Sequence, residues 1–127
     1  ENDDPALYGQ MMNGVNLLDR NSLSAALDVF NRLIAQAPDY AEAWNKRATI
    51  YYLMKDYKAS EADIAKTLQL EPFHFGAMSG LGLVHLGQRQ YDLARKAFQA
   101  TLEVYPLMQG VRDNLDALEL FMSDRSI

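Results

Sequence analysis

The apolar residues of this chain recur at steps of three and four, the spacing of one face of an α-helix; Leu23, Leu27, Phe30, Leu33 and Ile34 form one such stripe. Read this way, the sequence predicts helices over about residues 7–19, 22–36, 41–53, 56–70, 75–87 and 90–104. Breaks in the spacing at Asp19-Arg20-Asn21-Ser22, Met54-Lys55-Asp56-Tyr57 and Gly87-Gln88-Arg89-Gln90 mark turns between paired helices. A seventh helix is predicted over residues 108–122. Val111, Leu115, Leu118 and Phe121 or Met122 lie on its apolar side, with Arg112, Asp113, Asp116 and Glu119 opposite, so it reads as a solvating cap on an otherwise exposed apolar end. The expected fold class is all-α.

The stripes themselves repeat. Pro38, Pro72 and Pro106 stand 34 residues apart, and the same step relates Ala26, Ser60 and Ala94, then Phe30, Ile64 and Phe98, then Leu33, Thr67 and Thr101, and Gly14, Ala48 and Gly82. A small residue on the first helix of each unit lets the second approach, and a large apolar residue on the second fills the space. Proline ends the second helix because it lacks the N–H and disfavours helix in the residue before it. Asp39, after Pro38, is the expected cap of the helix that follows.

These residues resemble the tetratricopeptide repeat, a helix-turn-helix unit with the pattern W-x2-L-G-x2-Y, then A-x3-F, then P. Twelve of the 21 pattern positions match: Gly14, Ala26, Phe30 and Pro38; Trp44, Tyr51 and Pro72; Leu81, Gly82, Ala94, Phe98 and Pro106. Ala48 for Gly, Ser60 for Ala and Ile64 for Phe keep the packing logic, while Gln10, Asn13 and Arg47 are polar exceptions. The wording of the later repeats is similar to that of bacterial members. The resemblance covers Leu7 to Pro106 and implies a right-handed superhelical α-solenoid. Its organisation would be an acidic tail (1–6), repeats over 7–40, 41–74 and 75–106, a capping helix (107–123) and a short tail (124–127).

Composition narrows the function classes. The 127 residues are 49% apolar, enough for a core and against disorder, and 12 Lys and Arg against 17 Asp and Glu give a net charge of −5. That sign argues against a nucleic-acid partner. The excess is confined to the ends, since residues 5–106 carry balanced charge. Cysteine is absent, which removes thiolate zinc sites and thiol nucleophiles and suits any redox compartment. The longest apolar run, Ala77 to Leu86, is interrupted by Ser79 and His85 and is far short of the roughly 20 residues of a membrane span. No membrane insertion is expected. Glu1 in place of Met is expected where an initiator, a signal peptide or an upstream segment has been removed, and leaves cytoplasmic and exported locations both open.

Catalytic chemistry has no foothold. His74 and His85 are eleven apart without a third ligand, Gly80-Leu81-Gly82 lacks the third glycine and the preceding strand of a dinucleotide fingerprint, and no G-x-S-x-G occurs. No metal, no cofactor and no enzymatic activity are expected.

In the family, as the resemblance implies, partners lie along a concave face lined by positions 2, 5, 6, 9, 12 and 13 of each first helix. By phase, the candidate residues here are Met11, Val15 and Leu18; Asn45, Lys46, Thr49 and Tyr52; and Ser79, Leu83 and Leu86. The basic and asparagine positions with which family members dock acidic chaperone C-termini hold Met11, Val15, Lys46, Gly76 and Gly80, so that clamp is not expected. The face is mainly apolar, which implies a non-catalytic interaction module, a scaffold or adaptor, taking an apolar or amphipathic peptide segment of a protein partner. The alternative is a structural or self-associating domain, its groove covered by its own N-terminal segment or by a second copy in a homo-oligomer.

Overall fold

The computed structural model describes residues 4–125; of the expected tails over 1–6 and 124–127, residues 1–3 and 126–127 lie outside the described residues. Those described form seven helices and no strand: α1 (Pro5–Asp19), α2 (Leu23–Gln36), α3 (Ala41–Leu53), α4 (Tyr57–Leu70), α5 (Phe75–Gly87), α6 (Tyr91–Val104) and α7 (Gln109–Arg125). The protein is all-α, as the periodicity predicts. α1 starts at Pro5, two residues before the expected Leu7, because proline suits a first helical position and the Asp4 carboxylate accepts from the Ala6 N–H at 2.8 Å. α7 likewise continues to Arg125, beyond its expected end. The helices fall into two compact units, residues 1–72 with α1 to α4 and residues 73–127 with α5 to α7.

The turns inside the three hairpins share one geometry. Asn21, Lys55 and Arg89, again 34 apart, are the non-glycine residues with positive φ, at 61°, 64° and 60°. In each turn two backbone bonds close the helix end: Ser22 N–H to Leu17 C=O and Asn21 N–H to Leu18 C=O in the first, with the same pairs at Asp56 and Lys55, then at Gln90 and Arg89. This is the Schellman arrangement, which satisfies carbonyls that the helix end would otherwise leave open.

In the first unit, Phe30 is fully buried, and a Cβ on Gly14 would stand 2.6 Å from its ring. Ala26, Leu33 and Ile50 close the same core, and Thr67, elsewhere in the unit, is buried with its hydroxyl donating to the Asp63 C=O of its own helix. The second hairpin trades Gly and Phe for Ala48 and Ile64, and its Ser60 hydroxyl donates to the Ala48 C=O at 2.7 Å. Two of the three polar exceptions have partners here, while Asn13 is exposed. Gln10 and Gln36 exchange amide hydrogen bonds at 3.1 Å. Arg47 makes a two-pronged bond to Asp63 at 2.7 and 2.9 Å and donates to Asn31 at 2.9 Å, its guanidinium lying beside the rings of Trp44 and Tyr51. Hydrogen bonding to Asp63 raises the Arg47 pKa above its ordinary value, against the opposing effect of burial. One expectation fails: α3 is preceded by Tyr40 at the cap position, and neither the Tyr40 side chain nor Asp39 makes a capping hydrogen bond to it. Trp44 secures that corner instead, its indole N–H donating to the Pro38 C=O at 2.8 Å.

In the second unit, Phe98 is fully buried against Gly82, where a Cβ would stand 2.3 Å from the ring. Leu102, Val111, Leu115 and Leu118 complete the core. Met122, not Phe121, finishes the packed side of α7, since Phe121 is 42% exposed. Both histidines are structural: His74 Nδ1 accepts from the Ala77 N–H at the start of α5, and buried His85 bonds Gln90 through Nδ1 at 2.8 Å. Phe75 and Tyr105 meet edge to face at 5.2 Å, and the Tyr105 hydroxyl donates to the Phe73 C=O.

Two stability predictions follow from this packing. Gly82→Ala should destabilise by about 2 kcal/mol through overpacking, whereas Gly82→Ala with Phe98→Ile, which copies the pairing of the second hairpin, should cost less than the two single changes added together. Strict additivity in urea unfolding would refute the coupling. Asp63→Ala, which strands the Arg47 guanidinium, should cost about 3 kcal/mol, while Arg47→Met with Asp63→Leu should cost far less. Equal losses in the two variants would show that the pair itself, rather than an uncompensated charge, carries the stability.

Candidate functional site

Each first helix of a hairpin presents one face to its partner helix and another outward, and the positions between are decided by how closely neighbours approach. In the first unit, Met11 is 5% exposed and belongs to the core with Phe30 and Ala43, because α1 packs on α3 as well as on α2. Asn45, one period later, is also buried. These two residues were expected to contact a partner, and burial removes both from the surface. Val15 and Leu18 are half-buried and pack against the same core, offering only their outer edges. Tyr52 is half-buried with its ring 5.9 Å from that of Tyr57. Thr49 is exposed, and its hydroxyl donates to the Asn45 C=O at 3.2 Å. Lys46 is half-buried and pairs with Glu42 at 3.6 Å, a partly solvated contact of small energetic weight.

In the second unit, Ser79 is half-buried and its hydroxyl turns back onto its own helix, donating to the Phe75 and Gly76 carbonyls at 3.0 and 3.3 Å. Leu83 and Leu86 pack against the core of α6 and α7 while keeping part of their surface open. Leu86 also borders a shallow, mostly apolar depression of about 310 Å³, with Tyr91, Asn114, Ala117, Leu118 and Phe121 as the other walls. This hollow lies wholly within the second unit. Of its α7 walls, Leu118 and Phe121 were expected on the apolar side of the helix and Asn114 and Ala117 were not singled out, yet their signal was present: one further 34-residue step carries Gly80, Leu83 and Gly87 onto Asn114, Ala117 and Phe121. α7 therefore serves two roles, closing the core with Val111, Leu115 and Leu118 and extending the outward face of α5.

An open apolar hollow with a single amide among its walls can bury an aliphatic or aromatic side chain and offer that amide to a backbone. Among the described residues no group of three His, Asp or Glu side chains could hold a metal ion, and no helix is long and apolar enough to cross a membrane.

The tetratricopeptide repeat model matches residues 11–75, 47–108 and 79–119. A TPR repeat-containing protein of Rhizobium etli is 39% identical over 94 residues, which are 74% of this chain and 46% of that protein. The Drosophila melanogaster homolog of the BBSome complex member BBS4 is 24% identical over 118 residues, 87% of this chain and 24% of that one. The chain thus spans less than half the length of these relatives. Among solved structures, the first TPR of Spaghetti (RPAP3), bound to the HSP90 peptide SRMEEVD, superposes with a TM-score of 0.88 at 17% identity, covering 95% of this chain and 96% of that one. The Sgt2 TPR domain from Aspergillus fumigatus gives 0.88 at 18% identity, covering 96% and 82%. At these identities the likeness is one of fold. The family model, whose overlapping matches run over most of the length, goes further, and on it the chain belongs to the tetratricopeptide repeat family.

Proposed function

We propose that this chain is a non-catalytic protein-interaction module that takes an apolar or amphipathic peptide segment, acting as a scaffold or adaptor for a protein partner. The observation that carries the reading is the apolar hollow between α5, α6 and α7, walled by Leu86, Tyr91, Ala117, Leu118 and Phe121 with Asn114 beside them. Leu83 continues its apolar edge, and Ser79 lies one turn further along α5. In the first unit, Val15, Leu18, Lys46, Thr49 and Tyr52 remain as a second contact region, without Met11 and Asn45. Peptide complexes of structurally similar TPR domains, with HSP90 and HSP70 peptides, support the class of ligand. The residues with which chaperone-docking members hold a terminal carboxylate are absent at the matching positions, so the partner differs from those peptides.

A second reading has its own observation. Leu120 and Phe121 are 67% and 42% exposed on α7, and a second copy could cover them. Light scattering separates the two: a mass of 14.4 kDa that does not change with concentration removes the second copy, and a dimer supports it.

The test of the main reading is selection of random twelve-residue peptides on the intact chain, followed by binding measurements with Ala117→Glu. Ala117 is exposed, so the change leaves the helices intact and places a charge in the hollow. Peptides with an aliphatic or aromatic anchor should be selected, and the variant should bind them at least tenfold more weakly. Equal binding by both proteins, with unchanged circular dichroism, would remove the hollow as the site.

A further inference from the structure

Tyr91 separates the apolar hollow from a second depression of about 430 Å³, whose walls include Arg89, Gln90, Asp92 and Arg125. Neither arginine has a carboxylate partner among the described residues. Arg89 is fixed at its backbone by the left-handed conformation and the closing bond to Leu86 C=O at 3.0 Å. Arg125 lies over two rings, 5.5 Å from the centre of Tyr91 and 5.4 Å from that of Phe121, which themselves meet at 5.1 Å. Two ring faces beside a guanidinium limit where it can move and leave its N–H groups available as donors. Asp92, the acidic wall residue, is largely exposed and pairs through one oxygen with Arg95 at 3.2 Å, which leaves the basic residues of the depression in excess. Gln90 spends its amide oxygen on His85 and keeps its N–H2 group as a further donor.

An apolar hollow and a pair of unneutralised arginines thus share one aromatic wall. Resting on the interaction reading above, we propose that the segment entering the hollow carries an aspartate or glutamate next to its apolar anchor, and that Arg89 and Arg125 receive that carboxylate. The charge pattern favours a single carboxylate over a polyanion. α7 holds Asp113, Asp116, Glu119 and Asp124 against Arg112 and Arg125, so a phosphate chain running past the pocket meets repulsion, while one carboxylate between two guanidiniums does not. Placement follows the same logic. The basic residues sit at the hairpin turn before α6 and at the end of α7, so the carboxylate is read from the rim of the hollow, by a fork that a planar guanidinium can offer to both carboxylate oxygens.

The experiment is the same peptide selection on the intact chain and on Arg89→Glu with Arg125→Glu, with circular dichroism confirming equal helix content. Peptides selected by the intact chain should be enriched in Asp or Glu within four residues of the apolar anchor, and those selected by the charge-reversed chain in Lys or Arg. A measurement that needs no protein variant stands beside it: replacing the acidic residue of a selected peptide by its amide should weaken binding to the intact chain at least fivefold, and added salt should shrink that difference. Apolar peptides selected with no acidic preference, or an amide replacement without effect, overturn this inference and leave the hollow as a binding site. Failure to select any peptide on the intact chain overturns both.

Discussion

Everything in each hairpin depends on how closely its two helices approach, and that distance is set by one contact. The ring of Phe30 lies where a Cβ on Gly14 would be, 2.6 Å away, and the ring of Phe98 lies 2.3 Å from the corresponding point on Gly82. A helix interior is a costly place for glycine, by roughly 1 kcal/mol relative to alanine, so the residue persists where the neighbouring ring fills the space better than a methyl group would. With the ring seated, Ala26, Leu33 and Ala94, Leu102 fall into the seams of the two hairpins that use it. The middle hairpin reaches the same end by giving up ring volume, as Ile64, and taking back the methyl group, as Ala48.

This contact also explains how much of the fold was legible in the sequence. Helix positions and the 34-residue order followed from apolar spacing because the spacing is itself what the core demands. The left-handed turn residues Asn21, Lys55 and Arg89 were marked only as breaks, since none is glycine; their shared conformation is imposed by the two backbone bonds that end each first helix. Asp39 looked like a cap because aspartate before a helix usually is one, but helix entry there is held by the Trp44 indole on the Pro38 carbonyl. Such a bond spans positions that no local rule connects.

Arg47 is the clearest case of a polar residue that pattern reading sets aside and tertiary structure uses. It occupies a position where the repeat prefers leucine, and it replaces leucine's packing with three hydrogen bonds to Asp63 and Asn31 and two ring faces. An apolar residue in its place would pack as well, so the pair adds little net energy; what it adds is direction, since a guanidinium accepts only partners that present oxygens at the right angle. Asp63 on α4 and Asn31 on α2 are thereby fixed relative to α3 within the first unit.

The candidate site was less legible than the core for a physical reason. A residue one step off the buried stripe is surface or interior according to how near the next helix comes, and sequence periodicity does not carry that distance. Met11 and Asn45 fall on the buried side of this margin, and Thr49 on the open side, although all three satisfied the same rule. On α7 the ambiguity ran the other way: charged residues along the helix suggested a face given over to solvent, while Asn114 and Ala117 between them join Phe121 in the wall of an apolar hollow. A helix that ends a stack must hide one side and cannot extend the stack with the other unless that side still matches the repeat. The phase of α7 is kept, which is what lets a terminal helix close the core with Val111, Leu115 and Leu118 and still wall the hollow beside Leu86.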